Sequence, residues 1–238
     1  MKITYIEHSS FLIELENCYL LFDYYQGKMP VMNQEKRIYA FASHVHHDHF
    51  SFDLFEQLKE YKNVKYILSR DIRRKFNQRF FEKQGVDSAL YEKIVFLNAH
   101  ESYVDNQVAV ETLMSTDEGV AFLIEAEGHT IYHAGDLNWW SWDGENDQDA
   151  ARREKIYKAE ITHLADKHFE VAFLPLDPRQ EERFFWGFDW FMQHVDVDTV
   201  YPMHMWEDYS VIEKLRAMPE SITYRKKIQS VGITDVKM

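Results

Sequence analysis

The 238 residues carry 27 Lys and Arg against 40 Asp and Glu, a formal net charge of −13. That balance speaks against nucleic acid as the main partner, because phosphate binding is driven by basic side chains. The single cysteine, Cys18, excludes an internal disulfide framework and fits a reducing compartment. No run of 18 apolar residues exists, which excludes a transmembrane helix, and the opening MKITYIEHSS lacks the apolar core of a signal peptide. A cytoplasmic protein with no membrane partner is expected. The unusual count is histidine: 12 in all, four of them between positions 44 and 49.

No repeat, low-complexity tract or Gly/Pro-rich linker divides the chain, so one domain over 1–238 is expected. Alternation predicts strands at Lys2–Glu7 and Phe11–Glu16, then Tyr19–Asp23 after a turn at Glu16–Asn17. Ile38–Ser43 is an apolar strand running into the histidine cluster, and Ser51 is the predicted N-cap of a helix with Leu54, Phe55 and Leu58 on one face. Further strands are predicted at Val64–Leu68, Ile94–Leu97, Val108–Leu113, Val120–Glu125 and Thr130–His133, with a basic amphipathic helix over Arg70–Lys83. A long helix is predicted over Ala150–His168. After it come strand Val171–Leu174, a helix around Phe185–His194, strand Thr199–Tyr201, helix Glu207–Ala217 and a strand near Ile228–Ile233. Many strands followed by a β-α-β-α second half predict two sheets with helices outside.

The segment Ser43-His44-Val45-His46-His47-Asp48-His49 places imidazoles and a carboxylate on a loop at a strand end. There, alternate side chains can converge on one point, which neighbours on a helix cannot do. Imidazole suits Zn, Fe or Ni, and the Asp offsets charge.

His44-x-His46-x-Asp48-His49 matches the HxHxDH signature of the metallo-β-lactamase superfamily, and the chain resembles that family over nearly its whole length. Tyr19–Asp23 is similar to the family's early strand ending in a supporting Asp23. Tyr132-His133-Ala134-Gly135-Asp136 resembles the element whose Asp bridges two metals, and Val200-Tyr201-Pro202-Met203-His204 the late strand ending in a ligand His. The opening Glu7-His8-Ser9-Ser10-Phe11 resembles the branch that includes ascorbate-6-phosphate lactonase-like proteins. The resemblance implies an α+β four-layer αββα sandwich, the metallo-β-lactamase fold, with two divalent metal ions, zinc above all and Mn²⁺ or Fe²⁺ as alternatives. It implies His44 and His46 on the first metal, Asp48, His49 and His204 on the second, and Asp136 bridging. The family's third histidine for the first metal falls here on Thr116; Asp117, one residue on, is the candidate replacement, unless both residues only cap the turn. An oxygen-richer first site would favour Mn or Fe over Zn.

His47 occupies a variable position of the signature and is expected to point away. His8 either supports the site or is an ordinary strand-end residue. Trp139 and Trp140, from three Trp in four residues after Asp136, either wall the site or pack in the core. Asp177 and Arg179, in a loop after a strand, are candidate supporting or substrate residues. Between Lys59 and Lys83 the formal charge is +6, so Arg73, Arg74 and Arg79 either attract an anion or form a solvated face.

The expected activity is hydrolysis by a hydroxide generated at two metals, with Asp48 as the catalytic carboxylate. The expected substrate is a small ester, lactone or phosphodiester. A superfamily nuclease fits the acidic chain less well. A non-catalytic metal-bound sensor or scaffold is the third reading, encouraged by the missing histidine. A di-iron oxidoreductase is weaker still, since His46 stands where that branch typically has Glu. A homo-oligomer is compatible with the second aromatic cluster, Phe184–Phe191.

Overall fold

The computed structural model of the chain describes residues 1–232. Among these residues, twelve strands form two six-stranded sheets. The first contains, in spatial order, β1 (Lys2–Glu7), β2 (Ser10–Glu14), β3 (Cys18–Phe22), β4 (Arg37–Ala42), β5 (Val64–Ser69) and β6 (Val95–Leu97). In the second, β7 (Ser102–Val104), β8 (Val108–Met114), β9 (Val120–Ala126), β10 (His129–His133), β11 (His168–Pro175) and β12 (Asp196–Met203) follow one another. The helices are α1 (Asp53–Leu58), α2 (Arg70–Lys75), α3 (Gln78–Lys83), α4 (Ser88–Tyr91), α5 (Asp147–Thr162), α6 (Trp186–His194) and α7 (Ser210–Ala217).

Strands buried on both faces carry apolar residues at successive positions, as β3 does throughout and β4 does from Ile38 to Ala42. Their odd and even residues serve different layers. Cys18, Leu20, Phe22, Tyr39 and Phe41 face the core between the sheets, where Phe11 meets Phe173 at 4.4 Å and Phe41 meets Phe122 at 5.2 Å between ring centroids. Tyr19, Leu21, Ile38, Ala40 and Ala42 instead pack with Leu54, Phe55 and Leu58 of α1, Ile72 of α2, Phe81 of α3 and Tyr91 of α4. On the other sheet, α5, α6 and α7 contribute Tyr157, Ile161, Phe188, Phe191, Ile212 and Leu215 to burial. The order of layers is helix, sheet, sheet, helix, the four-layer αββα sandwich of the metallo-β-lactamase fold.

Several predicted boundaries move for identifiable reasons. The helix expected over Arg70–Lys83 is two: Phe76 is extended (φ −116, ψ 107), and the Asn77 side chain accepts the Phe80 N–H as an N-cap, starting α3 afresh. The helix expected to reach His168 stops at Thr162, because β11 begins at His168 in parallel register with Asp196. The N-cap of α1 is Phe52 rather than the expected Ser51 and makes no side-chain cap bond; Ser51, one residue earlier, accepts the Asp53 N–H at 3.1 Å, and the helix is six residues long. The short β7 and α4 have too few residues to show a period. Ile228 forms an isolated bridge with Val200 rather than a strand, and residue 233 lies outside the described residues.

The pairing pattern creates the site. β3 through β6 run parallel, as do β10 through β12. The carboxyl ends of β3, β4, β10, β11 and β12 therefore open on one edge of the sandwich, where crevices of open sheets bind ligands. The β1–β2 turn at His8–Ser9 and the β8–β9 turn at residues 115–119 reach the same edge.

Candidate metal centre

Asp23 follows β3, Ser43 and His44 follow β4, Asp136 follows β10, Asp177 follows β11 and His204 follows β12. Two glycines make the convergence possible. A Cβ on Gly119 would lie 2.0 Å from the Ser43 carbonyl oxygen, and one on Gly135 would lie 2.6 Å from the Ser43 Cβ; both residues have positive φ. The β8–β9 turn and the β10 end can press against the start of the histidine loop only without side chains there.

Two clusters result. In one, His44 Nε2 lies 3.1 Å from His46 Nδ1 and 3.6 Å from Asp136 Oδ2, and His46 Nδ1 lies 3.3 Å from Asp117 Oδ2. In the other, Asp48 Oδ2 lies 3.4 Å from His8 Nε2, 3.7 Å from His204 Nε2 and 3.9 Å from His49 Nε2. Asp136 serves both: its Oδ2 faces His44, while its Oδ1 is 3.2 Å from His49 Nε2 and 3.5 Å from His204 Nε2. Ligands 2.0–2.1 Å from a tetrahedral ion stand about 3.3 Å from one another, close to these separations.

Partners outside the clusters fix the rings. Asp23 is fully buried and accepts from Ser43 N (2.7 Å), Ser43 Oγ (2.7 Å) and His49 Nδ1 (2.8 Å). Asp177, also fully buried, accepts from His204 Nδ1 at 3.0 Å and from Arg179. Each bond places a proton on Nδ1 and aims Nε2 into the cluster, where it can offer a lone pair to a metal that displaces any proton there, the way metal-binding imidazoles are oriented.

The electrostatics ask for a cation. Burial opposes charge on Asp136, yet the surrounding His49, His204 and His44 hold its carboxyl well below the usual range. Burial likewise opposes charge on His49, but Asp136 and Asp23 on either side raise it well above the usual imidazole value. Burial lowers His8 to about 4 and His44 to about 3, so both rings stay neutral. Asp117 is raised, first by burial and then by the charge of Asp136. His8 Nε2, His49 Nε2 and Asp136 Oδ1 are buried with no hydrogen-bond partner among the described residues. Buried polar atoms are ordinarily satisfied; a divalent ion would satisfy all three, so the donor set fits the metals the sequence implied.

His44, His46, Asp48, His49, Asp117, Asp136 and His204 thus lie together, with Asp23 and Asp177 behind them. Thr116 is not at a ligand position: its hydroxyl donates to the Asn138 carbonyl at 2.6 Å. His47 points outward, and His133 stacks on Phe22 at 4.8 Å with its Nε2 on the Ser9 carbonyl. Trp139 corrects its expectation as a site residue. It turns away to pack against Trp186, Trp190 and Lys158 of the neighbouring helices. Trp140 does reach the site, 5.5 Å from the His204 ring, with Nε1 donating to the Asp136 carbonyl.

A cleft over the clusters is walled by Trp140 and Trp142, stacked at 5.7 Å, with Arg153 and Arg179 on its rim. The Arg179 guanidinium lies 4.3 Å from the Trp206 ring and 5.7 Å from that of Trp142. Trp142, Arg153 and Trp206 were not among the expected site residues. Trp206, two residues after the expected ligand His204, was the readable one.

Residues 2–148 match the family described as the β-lactamase superfamily domain. A UPF0173 metal-dependent hydrolase from Cereibacter sphaeroides is 30% identical over 163 residues, which is 61% of this chain and 68% of that protein. Among solved structures, Igni18, a metallo hydrolase from the archaeon Ignicoccus hospitalis, superposes with a TM-score of 0.56 at 17% identity, covering 96% of this chain and 93% of its own. A protein described as a metal-dependent hydrolase from Parabacteroides distasonis gives 0.57 at 15% identity, over 95% and 90%. The two structures share the fold, the relative shares the sequence, and the chain belongs to the metallo-β-lactamase superfamily, among its metal-dependent hydrolases.

Proposed function

We propose that the chain is a dinuclear hydrolase of a small ester, lactone or phosphodiester that carries a negative charge. The observation behind the two-ion reading is Asp136, whose oxygens face different clusters. Two cations side by side repel, and a shared carboxylate offsets that repulsion. Ions held there would supply an acidified water and polarise the carbonyl or phosphoryl oxygen of the substrate.

The chain's own residues supply the rest. Asp48 turns Oδ2 into the cluster, toward His8, His204 and His49, where it can orient the attacking water and accept its proton, while Oδ1 lies toward the outward-pointing His47. Asp23 and Asp177 keep His49 and His204 in the orientation that points Nε2 inward. Trp140 and Trp142 offer an apolar wall that excludes water from one side of the cleft, and Arg179 offers positive charge to an anionic group beyond the scissile bond.

Protein freed of metal and reloaded with Zn²⁺, Mn²⁺ or Fe²⁺ is to be assayed on matched lactones, esters and phosphodiesters. Turnover should rise through the second equivalent of metal and be lost in His46→Ala and Asp48→Ala. Full turnover in both variants would overturn the roles given to His46 and Asp48, no turnover on any of these substrates would overturn the hydrolase reading, and full turnover at one equivalent would overturn the dinuclear one.

A further inference from the structure

We propose that His8 is itself a metal ligand, the third imidazole of the centre formed with Asp48, His49 and His204, and that this centre holds its ion more tightly than the other. The proposal rests on the dinuclear reading and extends it to a residue outside the HxHxDH segment.

His8 sits at the tip of the β1–β2 hairpin with φ 54, a left-handed conformation seldom adopted by residues with a side chain. Its backbone is held from both sides. The amide donates to the Tyr5 hydroxyl at 2.8 Å, and the carbonyl accepts the His204 N–H at 3.3 Å. The hairpin is thereby tied to a predicted ligand loop, and the ring is delivered to a fixed place, 4.2 Å from the His204 ring.

Two roles are open to a buried histidine there, and geometry separates them. A supporting histidine would spend its ring nitrogen on a close hydrogen bond; the supporting contacts of this site, His49 to Asp23 and His204 to Asp177, measure 2.8 and 3.0 Å. His8 Nε2 instead stands 3.4 Å from Asp48 Oδ2, buried and with no hydrogen-bond partner among the described residues. That separation is close to the roughly 3.3 Å between neighbouring ligands of one ion, and with the shared Asp136 Oδ1 the centre would have five protein ligands. His8, Asp48, His49 and His204 each offer an atom within 4.8 Å of the others, and all four are buried.

The companion group, His44, His46, Asp117 and Asp136, has two imidazoles and two carboxylates, with His46 half-buried and Asp117 exposed. Three imidazoles enclosed by protein suit Zn²⁺, while the oxygen-richer, more open group suits an ion that exchanges with solvent.

The test uses the full chain, stripped of metal and titrated with Zn²⁺ against a chromophoric chelator. His8→Asn is the main variant, because Asn tolerates left-handed backbone better than most residues, and His8→Ala is the second. Wild type should bind two equivalents, one at least about 10-fold tighter than the other. In the variants the tight equivalent should weaken by roughly 10–100-fold, the scale of losing an orienting contact or more. Independently, the ¹⁵N resonance of His8 Nε2 in the wild type should move to a metal-bound position as the first equivalent is added. That measurement decides the matter even if the variants fail to fold. Unchanged affinities in a folded His8→Asn, or an unmoved His8 resonance at saturating Zn²⁺, would overturn the ligand assignment alone. A wild type that binds no ion would overturn the dinuclear hydrolase reading as well.

Discussion

Replacing Asp23 by Asn removes no atom from the core, yet it should weaken the second metal centre about as much as deleting a contact. Asp23 Oδ1 accepts the Ser43 amide, while Oδ2 accepts from Ser43 Oγ and His49 Nδ1. In Asn, the carbonyl oxygen must stay opposite the Ser43 amide, because the flipped rotamer would set a donor against a buried backbone donor. The NH₂ group then occupies the Oδ2 position and donates to His49 Nδ1. That forces the other tautomer, with a proton on Nε2 where the cluster needs a lone pair. Losing an orienting partner of this kind costs 10–100-fold in metal affinity, about 1.4–2.7 kcal/mol. Chelator competition on metal-free protein measures the affinity, and ¹⁵N spectra of His49 report the tautomer. Asp23→Asn protein that binds both equivalents with wild-type affinity, or whose metal-free His49 still carries its proton on Nδ1, would refute the reasoning.

Gly119→Ala and Gly85→Ala both place Ala at positive φ, but only at Gly119 does the new Cβ meet a neighbour, the Ser43 carbonyl at 2.0 Å. Urea unfolding should show about 1–2 kcal/mol of strain at Gly85, and a larger loss at Gly119 accompanied by weaker metal binding. His133 accepts the Gly135 N–H on Nδ1 and donates from Nε2 to the Ser9 carbonyl, so only the neutral ring satisfies both partners, and burial lowers its pKa below 6.5. Its contribution to stability is complete above pH 6.5 and is lost as pH falls below that value, because the unfolded chain takes the proton first. Unfolding free energy should therefore fall more steeply from pH 6.5 to 5 in wild type than in His133→Gln. Arg179→Gln should raise KM for a phosphodiester several-fold more than for a neutral ester of similar size; equal effects on both would remove Arg179 from anion recognition. Metal at 100 times its Kd should add about 2.7 kcal/mol to stability, read as a drop in Tm on chelation.

The strands that end in site residues were legible because their alternation or apolar runs stop at chemistry-bearing residues: YLLF before Asp23, IYAFA before Ser43 and His44, TIYH before Asp136. Helix limits were less legible. Nothing in Ile161–His168 marks a stop; the end of α5 is set by the pairing of His168 with Asp196, a partner 28 residues away. The same holds within the site. Trp139 and Trp140 are indistinguishable in sequence, and what separates them is the Trp140 indole N–H donating to the Asp136 carbonyl while Trp139 packs on Lys158. His8 was legible as a residue near the site, but its unpartnered Nε2 exists only once β1 and β2 pair and the hairpin bonds to His204.

Where the fold stores its unfavourable features bears on what the metal does for it. Of eight non-glycine residues with positive φ among the described residues, His8, Asp23, His204, Trp206 and Glu207 gather at the metal edge. Each such conformation costs on the order of 1–2 kcal/mol. Glu127, at the opposite edge, shows how strain is ordinarily offset: its carboxylate accepts the Glu16 and Asn17 amides, both at 2.8 Å, with no outside group needed. At the metal edge the chain settles only part of it: Asp23 accepts from Ser43 and His49, and the His8 backbone is held by Tyr5 and His204. His8 Nε2, His49 Nε2 and Asp136 Oδ1 remain buried and unpartnered, and Asp48 and Asp136 share one enclosed space with only imidazoles between them. A cation resolves these conflicts together, since it accepts the lone pairs and neutralises the carboxylates. Metal binding and folding should therefore be coupled most strongly at this edge, and hydrogen exchange should slow on metal loading at the His8 hairpin and residues 204–207 before it changes at the β2–β3 and β9–β10 turns.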